Sequence, residues 1–376
     1  MTTPPPAAAT AATPVRRLGA ASPGGLALPA ALAAPGQLYG PRGVWTDGVR
    51  LAVADTGNHR VLLWHTMPDH DGAPADVVIG QPDLISDAPG AAGDTRRGLH
   101  LPTGLTVIDG ALVVCDAWHH RVLVWQAWPE TSFTAPDVVL GQRTSDDVGP
   151  NAGGSPTASS LYWPFGAGLV GGTFWIADTG NRRVLGWRGG LPEADRPADV
   201  VLGQDDATSR DDNRGGEPTA SSFRWPHAVA GDDATLWVAD AGDHRVLGFS
   251  PTPGADAVAS AVLGQPSFTQ ARELKGVPQG PSKLRFPYGL AFDGRRLAVA
   301  DTSNNRVLVW HDAPREGVGA PADEVLAQPD FDAHGENRWD AVTDDSLCWP
   351  YALCLAGDLL AVADSGNNRV VLWRLP

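Results

Sequence analysis

Six residues that each follow a proline, Arg42, Thr103, Phe165, His227, Tyr288 and Tyr351, are the side chains best suited to do chemistry in this 376-residue sequence. A guanidinium holds an anionic group, and an imidazole or a phenol serves as general acid or base. Gathered on one surface, they would make a small-molecule site, with a few converging polar groups among apolar walls. The alternative is that large side chains at these positions simply plug a channel. Trp163, Trp225, Phe286 and Trp349 precede four of the prolines. They offer flat surface for stacking on a sugar or heterocycle, or they pack beneath the loop that follows. Which of these holds depends on the elements that carry the residues.

Those elements repeat. Val53-Ala-Asp-Thr-Gly-Asn-His-Arg-Val-Leu-Leu-Trp64 returns five times, last as Val362-Ala-Asp-Ser-Gly-Asn-Asn-Arg-Val-Val-Leu-Trp373. The arginines Arg60, Arg121, Arg183, Arg245, Arg306 and Arg369 lie 61, 62, 62, 61 and 63 residues apart. So regular a period marks stacked supersecondary units. Within each unit, short apolar runs alternate with turn signals and predict four strands. In the fifth unit these are Tyr288 to Phe292, Arg296 to Ala300, Arg306 to Trp310 and Glu324 to Gln328. The chain stops after a sixth third strand, so one fourth strand is missing at that end. Val15 to Gly19 supplies it, lying 61 residues before Gly80 in the phase of a fourth strand. A toroid that borrows its last strand from its own N-terminus leaves no exposed sheet edge. The proline steps then begin the innermost strands and encircle the top mouth of the channel.

The Ala-Asp-x-Gly-Asn-x-Arg-Val core resembles the NHL repeat, over essentially residues 15 to 376. The resemblance implies an all-β fold: a six-bladed β-propeller of four-stranded NHL-type blades, closed by the N-terminal strand. Repeat length departs from the family, because about twenty residues separate each Gly-Gln from the next strand. Activity is not implied, since NHL propellers serve as protein scaffolds, RNA readers, sensor domains and lyases. Peptide amidating lyases of this kind place zinc-binding histidines in the channel, one of them after a proline, and Pro226-His227 resembles that feature. The alternate-blade partners of His227 would be Thr103 and Tyr351, which cannot complete a three-histidine zinc set. No metal site is therefore expected.

Sixfold recurrence also separates scaffold from site. Asp55, Asp116, Asp178, Asp240, Asp301 and Asp364, each five residues before an arginine, are expected to accept from the turn's amides and pair with that arginine. The aromatics Trp64, Trp125, Trp187, Phe249, Trp310 and Trp373 are expected to pack between blades. His59, His119, His120 and His244 fall in turns of the top face, in different blades, and are not expected to share a metal. Trp118-His119-His120 breaks the Thr-Gly-Asn pattern of its siblings. The five insertions, such as Arg143 to Trp163 and Asp205 to Trp225, cross the top face, where propeller specificity resides. Their Asp pairs lack the spacing of a calcium loop.

Composition agrees. Gly and Pro, 44 and 33, make about one residue in five a helix breaker, which favours short strands. The 28 basic against 43 acidic residues give a formal charge of −15, with no basic stripe. Nucleic acid and anionic membrane are thus disfavoured as partners. Cys115, Cys348 and Cys354 fit neither a disulfide framework nor a zinc cluster. No nucleophile elbow, Walker loop or dinucleotide fingerprint occurs, and no cofactor is indicated. The expectation is a disordered tail over residues 1–14 and a single propeller over 15–376, cytoplasmic and monomeric. Its channel mouth would bind a small molecule or a protein partner through Arg42, Thr103, Phe165, His227, Tyr288, Tyr351, Trp163, Trp225 and Trp349. A lyase or hydrolase working in the channel mouth, metal-dependent or not, is the alternative.

Overall fold

The computed structural model describes residues 12–21, 32–250, 253–254, 256–273 and 278–376. Most of the expected tail, residues 1–11, lies outside the described residues. Among them the chain forms six antiparallel sheets in sequence order, each a blade of a ring. Blade 1 comprises Gly43–Thr46, Leu51–Asp55, Arg60–Trp64 and Val77–Ile79. Blades 2 to 6 repeat it, with inner strands Leu105–Ile108, Pro164–Val170, Pro226–Gly231, Pro287–Phe292 and Pro350–Ala356. In blade 5 the second strand is Leu297–Asp301, one residue later than expected. The Asp293 carboxylate accepts the N–H of Arg295 and of Arg296, drawing both into the hairpin turn. Blade 4 carries an extra edge strand, Gly317–Val318, which pairs parallel to Ala261–Leu263.

The ring closes as the missing fourth strand requires. Thr13–Gly19 pairs antiparallel with Arg369–Arg374, starting two residues before the expected Val15. The hydrophobic residues sort into six cores, each built from two neighbouring blades. Trp125, for example, packs with Val77 and Ile79 of blade 1, so the aromatics do join blade to blade.

The repeated Asp, Asn and Arg form a buried latch whose reach exceeds the turn. Asp55 Oδ2 accepts from Arg60 Nε at 2.7 Å and from Asn58 Nδ2 at 2.8 Å, all three residues being buried. Contrary to the expectation from the sequence, its Oδ1 does not accept from the turn's own amides. It accepts instead the N–H of Tyr39, sixteen residues upstream, at 2.7 Å. The same upstream bond recurs from His100, Tyr162, Arg224, Arg285 and Cys348. Arg60 spends its remaining donors on the carbonyls of Leu84, Ala34 and Gln37. In blade 1 the Tyr39 N–H bond and the two Arg60 Nη2 bonds thus hold the segment leading to Arg42. The latch is what fixes the ring residues in place.

The insertions are scaffold at their centres, a role their sequence did not suggest. Asn151 Nδ2 donates to Asn181 Oδ1, and Ser160 Oγ donates to Asn151 Oδ1. Ser222 with Asn213, and Ser346 with Asn337, repeat the second bond.

Candidate functional site

Four inner strands begin with close backbone contact to the next blade, at Gly43, Gly104, Gly166 and Gly289. Gly104 N–H donates to the Phe165 carbonyl at 2.8 Å, and a Cβ on Gly104 would lie 2.3 Å from that oxygen. Only glycine allows so close an approach. The residues just before the prolines are also constrained, with Leu101, Trp163, Phe286 and Trp349 at φ of 48 to 51°. Left-handed backbone is costly for a bulky side chain and needs support from its surroundings. That support is a hydrogen bond from the preceding blade. His59, His120 and His244 each accept, through Nδ1, the N–H of Leu101, Trp163 and Phe286 at 3.1 to 3.2 Å. Asn305 Oδ1 does the same for Trp349 at 2.9 Å.

The six post-proline residues line one channel. Four of their rings stack in series around it. Phe165 to His227 is 4.6 Å between centroids, His227 to Tyr288 4.4 Å, and Tyr288 to Tyr351 4.5 Å. The Arg42 guanidinium continues the series, 4.6 Å over the Tyr351 ring. These are stacking and cation–π distances. Thr103 breaks the stack, since its hydroxyl donates to the Phe165 carbonyl at 3.1 Å and its side chain is buried. Trp118, from the turn of the same blade, leans over to Phe165 and Trp163, 6.1 and 5.7 Å away.

Electrostatics make the floor largely neutral. His227 Nδ1 lies 3.0 Å from the Trp225 carbonyl, which can only accept, so Nδ1 carries the proton. Burial pushes the imidazole down to about 4, leaving it uncharged near neutrality. Burial pushes the Tyr288 hydroxyl well above the ordinary phenol range and raises Tyr351 against the pull of Arg42. Arg42 has no side-chain hydrogen bond or ion pair among the described residues.

The ring divides the axis into two spaces. Beneath it the channel holds a cavity of about 80 Å³. Above it lies a bowl of about 250 Å³ with the stacked rings as floor and Trp118, Trp163, Trp225 and Arg182 as walls. The ring therefore plugs the channel and at the same time floors a cavity. Eight of the nine residues singled out from the sequence line one or both spaces. Trp349 lines neither and is 52% exposed.

Trp118 and Arg182 were not anticipated as wall residues. Their signal was a break in the repeat, Trp118 standing where the other blades have Gly or Ser, and Arg182 where they have His or Asn. Arg182 cannot accept a backbone N–H. Trp225 N–H bonds Asp240 Oδ1 instead, and Trp225 is not among the left-handed residues.

The histidines of the top face do meet in part. His100 stands between His59 and His119, with centroids 5.1 and 5.4 Å apart. His59 Nδ1 already accepts the Leu101 N–H, so its Nε2 carries the proton and has no lone pair for a metal. Among the described residues no group of three or more His, Cys, Asp or Glu could hold a metal ion.

No known family profile matches the chain. It is 24% identical to NHL repeat-containing protein 2 of Homo sapiens over 367 residues, covering 91% of this chain and 47% of that protein. The Bos taurus counterpart gives 24% over 369 residues, with 89% and 46% covered. The chain thus spans about half the length of the curated relatives it matches. Among solved structures, the WD40 β-propeller domain of Doa1 aligns over 98% of both chains, at 12% identity and a TM-score of 0.49. Streptogramin B lyase aligns over 93% of this chain and 96% of its own, at 11% identity and a TM-score of 0.46. With its six antiparallel sheets in a closed ring and its repeated Ala-Asp-x-Gly-Asn-x-Arg-Val core, the chain is a six-bladed β-propeller of NHL-type repeats.

Proposed function

We propose that this propeller is a binding module that takes a small ligand in the top-face bowl. The observation that carries the reading is the half-buried Arg42 guanidinium, which ends the stack without a polar partner of its own beside an aromatic-walled cavity. A buried or half-buried cation with unused donors is costly unless something binds it. A packing plug alone has no use for one.

A lyase or hydrolase in the same place is the second reading, with His227 as general base. It is supported less well, because a base held to about 4 is weak at neutral pH. We infer that residues 15–376 form one monomeric, cytoplasmic unit, in keeping with three free cysteines. Among the described residues no helix is long and apolar enough to cross a membrane.

The test is a thermal-shift screen of a metabolite library against the full chain, with Arg42→Gln and Trp163→Ala as comparisons. His227 is the wrong residue to remove, since it lies inside the stack. Ligands should stabilise the unmodified chain and fail to stabilise the variants, whose own melting temperatures stay near the starting value. Ligands that stabilise all three alike would move the site away from the bowl and make a protein partner the better reading.

A further inference from the structure

We infer that the bowl takes a small planar aromatic carboxylate, an inference that rests on the bowl being the binding site. The first support is charge. Acidic residues outnumber basic ones by 43 to 28 in the chain, yet no Asp or Glu lines this cavity, and of its two arginines Arg182 is paired with Asp212 while Arg42 has no ion pair among the described residues. Whatever the acidic surface does for the rest of the molecule, the local field at the bowl favours an anion.

The second support is the geometry of Arg42. The Tyr351 ring centroid lies 4.6 Å from the guanidinium carbon, and the guanidinium N–H groups have no hydrogen bond or ion pair among the described residues. A planar fork of donors matches a carboxylate bidentately. Phosphate is the poorer match. Neither a lysine nor a glycine-rich loop of converging amides lines the bowl, and the second guanidinium is already engaged by Asp212 at 2.6 Å.

The third support is the repeat itself. In five blades the last turn residue is His or Asn and accepts the next blade's N–H. In blade 3 it is Arg182, which gives up that bond and turns a cation to the cavity. In blade 2 the turn glycine is Trp118, which adds an indole wall. Both departures from the pattern converge on one cavity. Trp118 adds flat apolar surface for an aromatic ring, and Arg42 remains the guanidinium that can meet its carboxylate.

Size sets the last limit. About 250 Å³ lies just under the usual range of ligand pockets, which suits one or two fused rings.

The experiment uses matched acids and amides: benzoate with benzamide, and indole-3-carboxylate with indole-3-carboxamide. Binding to the full chain is followed by saturation-transfer NMR, in the unmodified protein and in Arg42→Gln, Arg42→Lys and Trp163→Ala, each first shown to unfold at the unmodified temperature. The acids should bind at least tenfold tighter than their amides. Arg42→Gln should abolish that preference, Arg42→Lys should keep part of it, and Trp163→Ala should weaken acid and amide alike. Amides that bind as well as acids, with both still sensitive to Trp163→Ala, would overturn the anion and leave the bowl. Should none of the four bind at millimolar concentration, or should binding ignore Trp163→Ala, both the anion and the bowl fall.

Discussion

The Nδ1 of His120 in blade 2 accepts the backbone N–H of Trp163 in blade 3 at 3.2 Å, across the boundary between blades. In the last blade the Oδ1 of Asn368 does the same for Gly40 at 2.9 Å. Imidazole and amide are thus interchangeable acceptors in one repeated joint. His120→Asn should leave stability within about 0.5 kcal/mol, while His120→Ala should cost about 1 to 3 kcal/mol by stranding the N–H. Urea unfolding at pH 7 measures both.

Protonation ought to break the same joint. Burial pushes His120 down to about 4, below its ordinary value of 6.5. Between those values the unfolded chain binds a proton that the folded chain does not. Stability present above pH 6.5 is therefore lost as pH falls toward 4. His120→Asn lacks this titration, so its stability relative to the unmodified chain should rise on acidification from pH 7 to 5. A constant difference over that range would show that the imidazole is not the neutral acceptor described.

The latch aspartates should behave as scaffold wherever they occur. Asp178→Ala strands the fully buried Arg183, and Asp301→Ala strands Arg306. Removing one partner of a buried ion pair costs about 3 to 5 kcal/mol. Both variants should lose stability in that range and to similar extents. Loss of binding at full stability in Asp178→Ala alone would make Asp178 a site residue.

Blade 4 carries the one flawed latch. Where siblings place Asn or His to donate to the aspartate, it has Asp243, buried, whose Oδ2 takes no hydrogen bond and has only an ion pair with Arg245 at 3.3 Å. Burial first, and the Asp240 carboxylate second, push Asp243 up to about 7. A raised acid keeps its proton in the fold, and the stability this brings is lost as pH rises from about 4 through about 7. Asp243→Asn restores the donor. It should stabilise by about 1 to 3 kcal/mol at pH 8 and by much less at pH 5. An equal gain at both values would mean that Asp243 does not titrate in this interval.

The period made the blades, the closing strand and the post-proline ring legible from sequence, because each recurs in a fixed phase. Arg182 and Trp118 were harder to read. Their meaning depends on knowing that one turn residue serves the next blade, a contact across 42 to 44 residues that no local pattern shows. The Asp55 bond to Tyr39, sixteen residues back, was hidden for the same reason. The insertions misled through their Asp pairs, which drew attention from a smaller recurrence. Asn-x-Gly at 151–153 and again at 213–215, each followed by Ser nine residues after the Asn, was the scaffold signal.

Closure by the N-terminal strand carries the last prediction. Gly19 has φ of +92°, matching +89 to +94° at Gly80, Gly141 and Gly203, so it occupies the fourth-strand corner of its blade. Leu18 is fully buried in the core shared by blades 6 and 1, beside Leu38, Leu62 and Leu372. Removing residues 1–20 uncovers that core and leaves Arg369–Arg374 as an open edge, so it should cost several kcal/mol and promote association through the edge. Gly19→Val tests the same joint without deletion, because its Cβ would lie 2.5 Å from the Asn368 carbonyl in a backbone conformation valine avoids. Thermal unfolding and sedimentation should show both variants destabilised and the truncated chain partly associated. A peptide of residues 10–20 added in trans should restore much of the loss by filling the vacant edge. A truncated chain that melts at the original temperature and stays monomeric would mean that the ring does not depend on this strand for its closure.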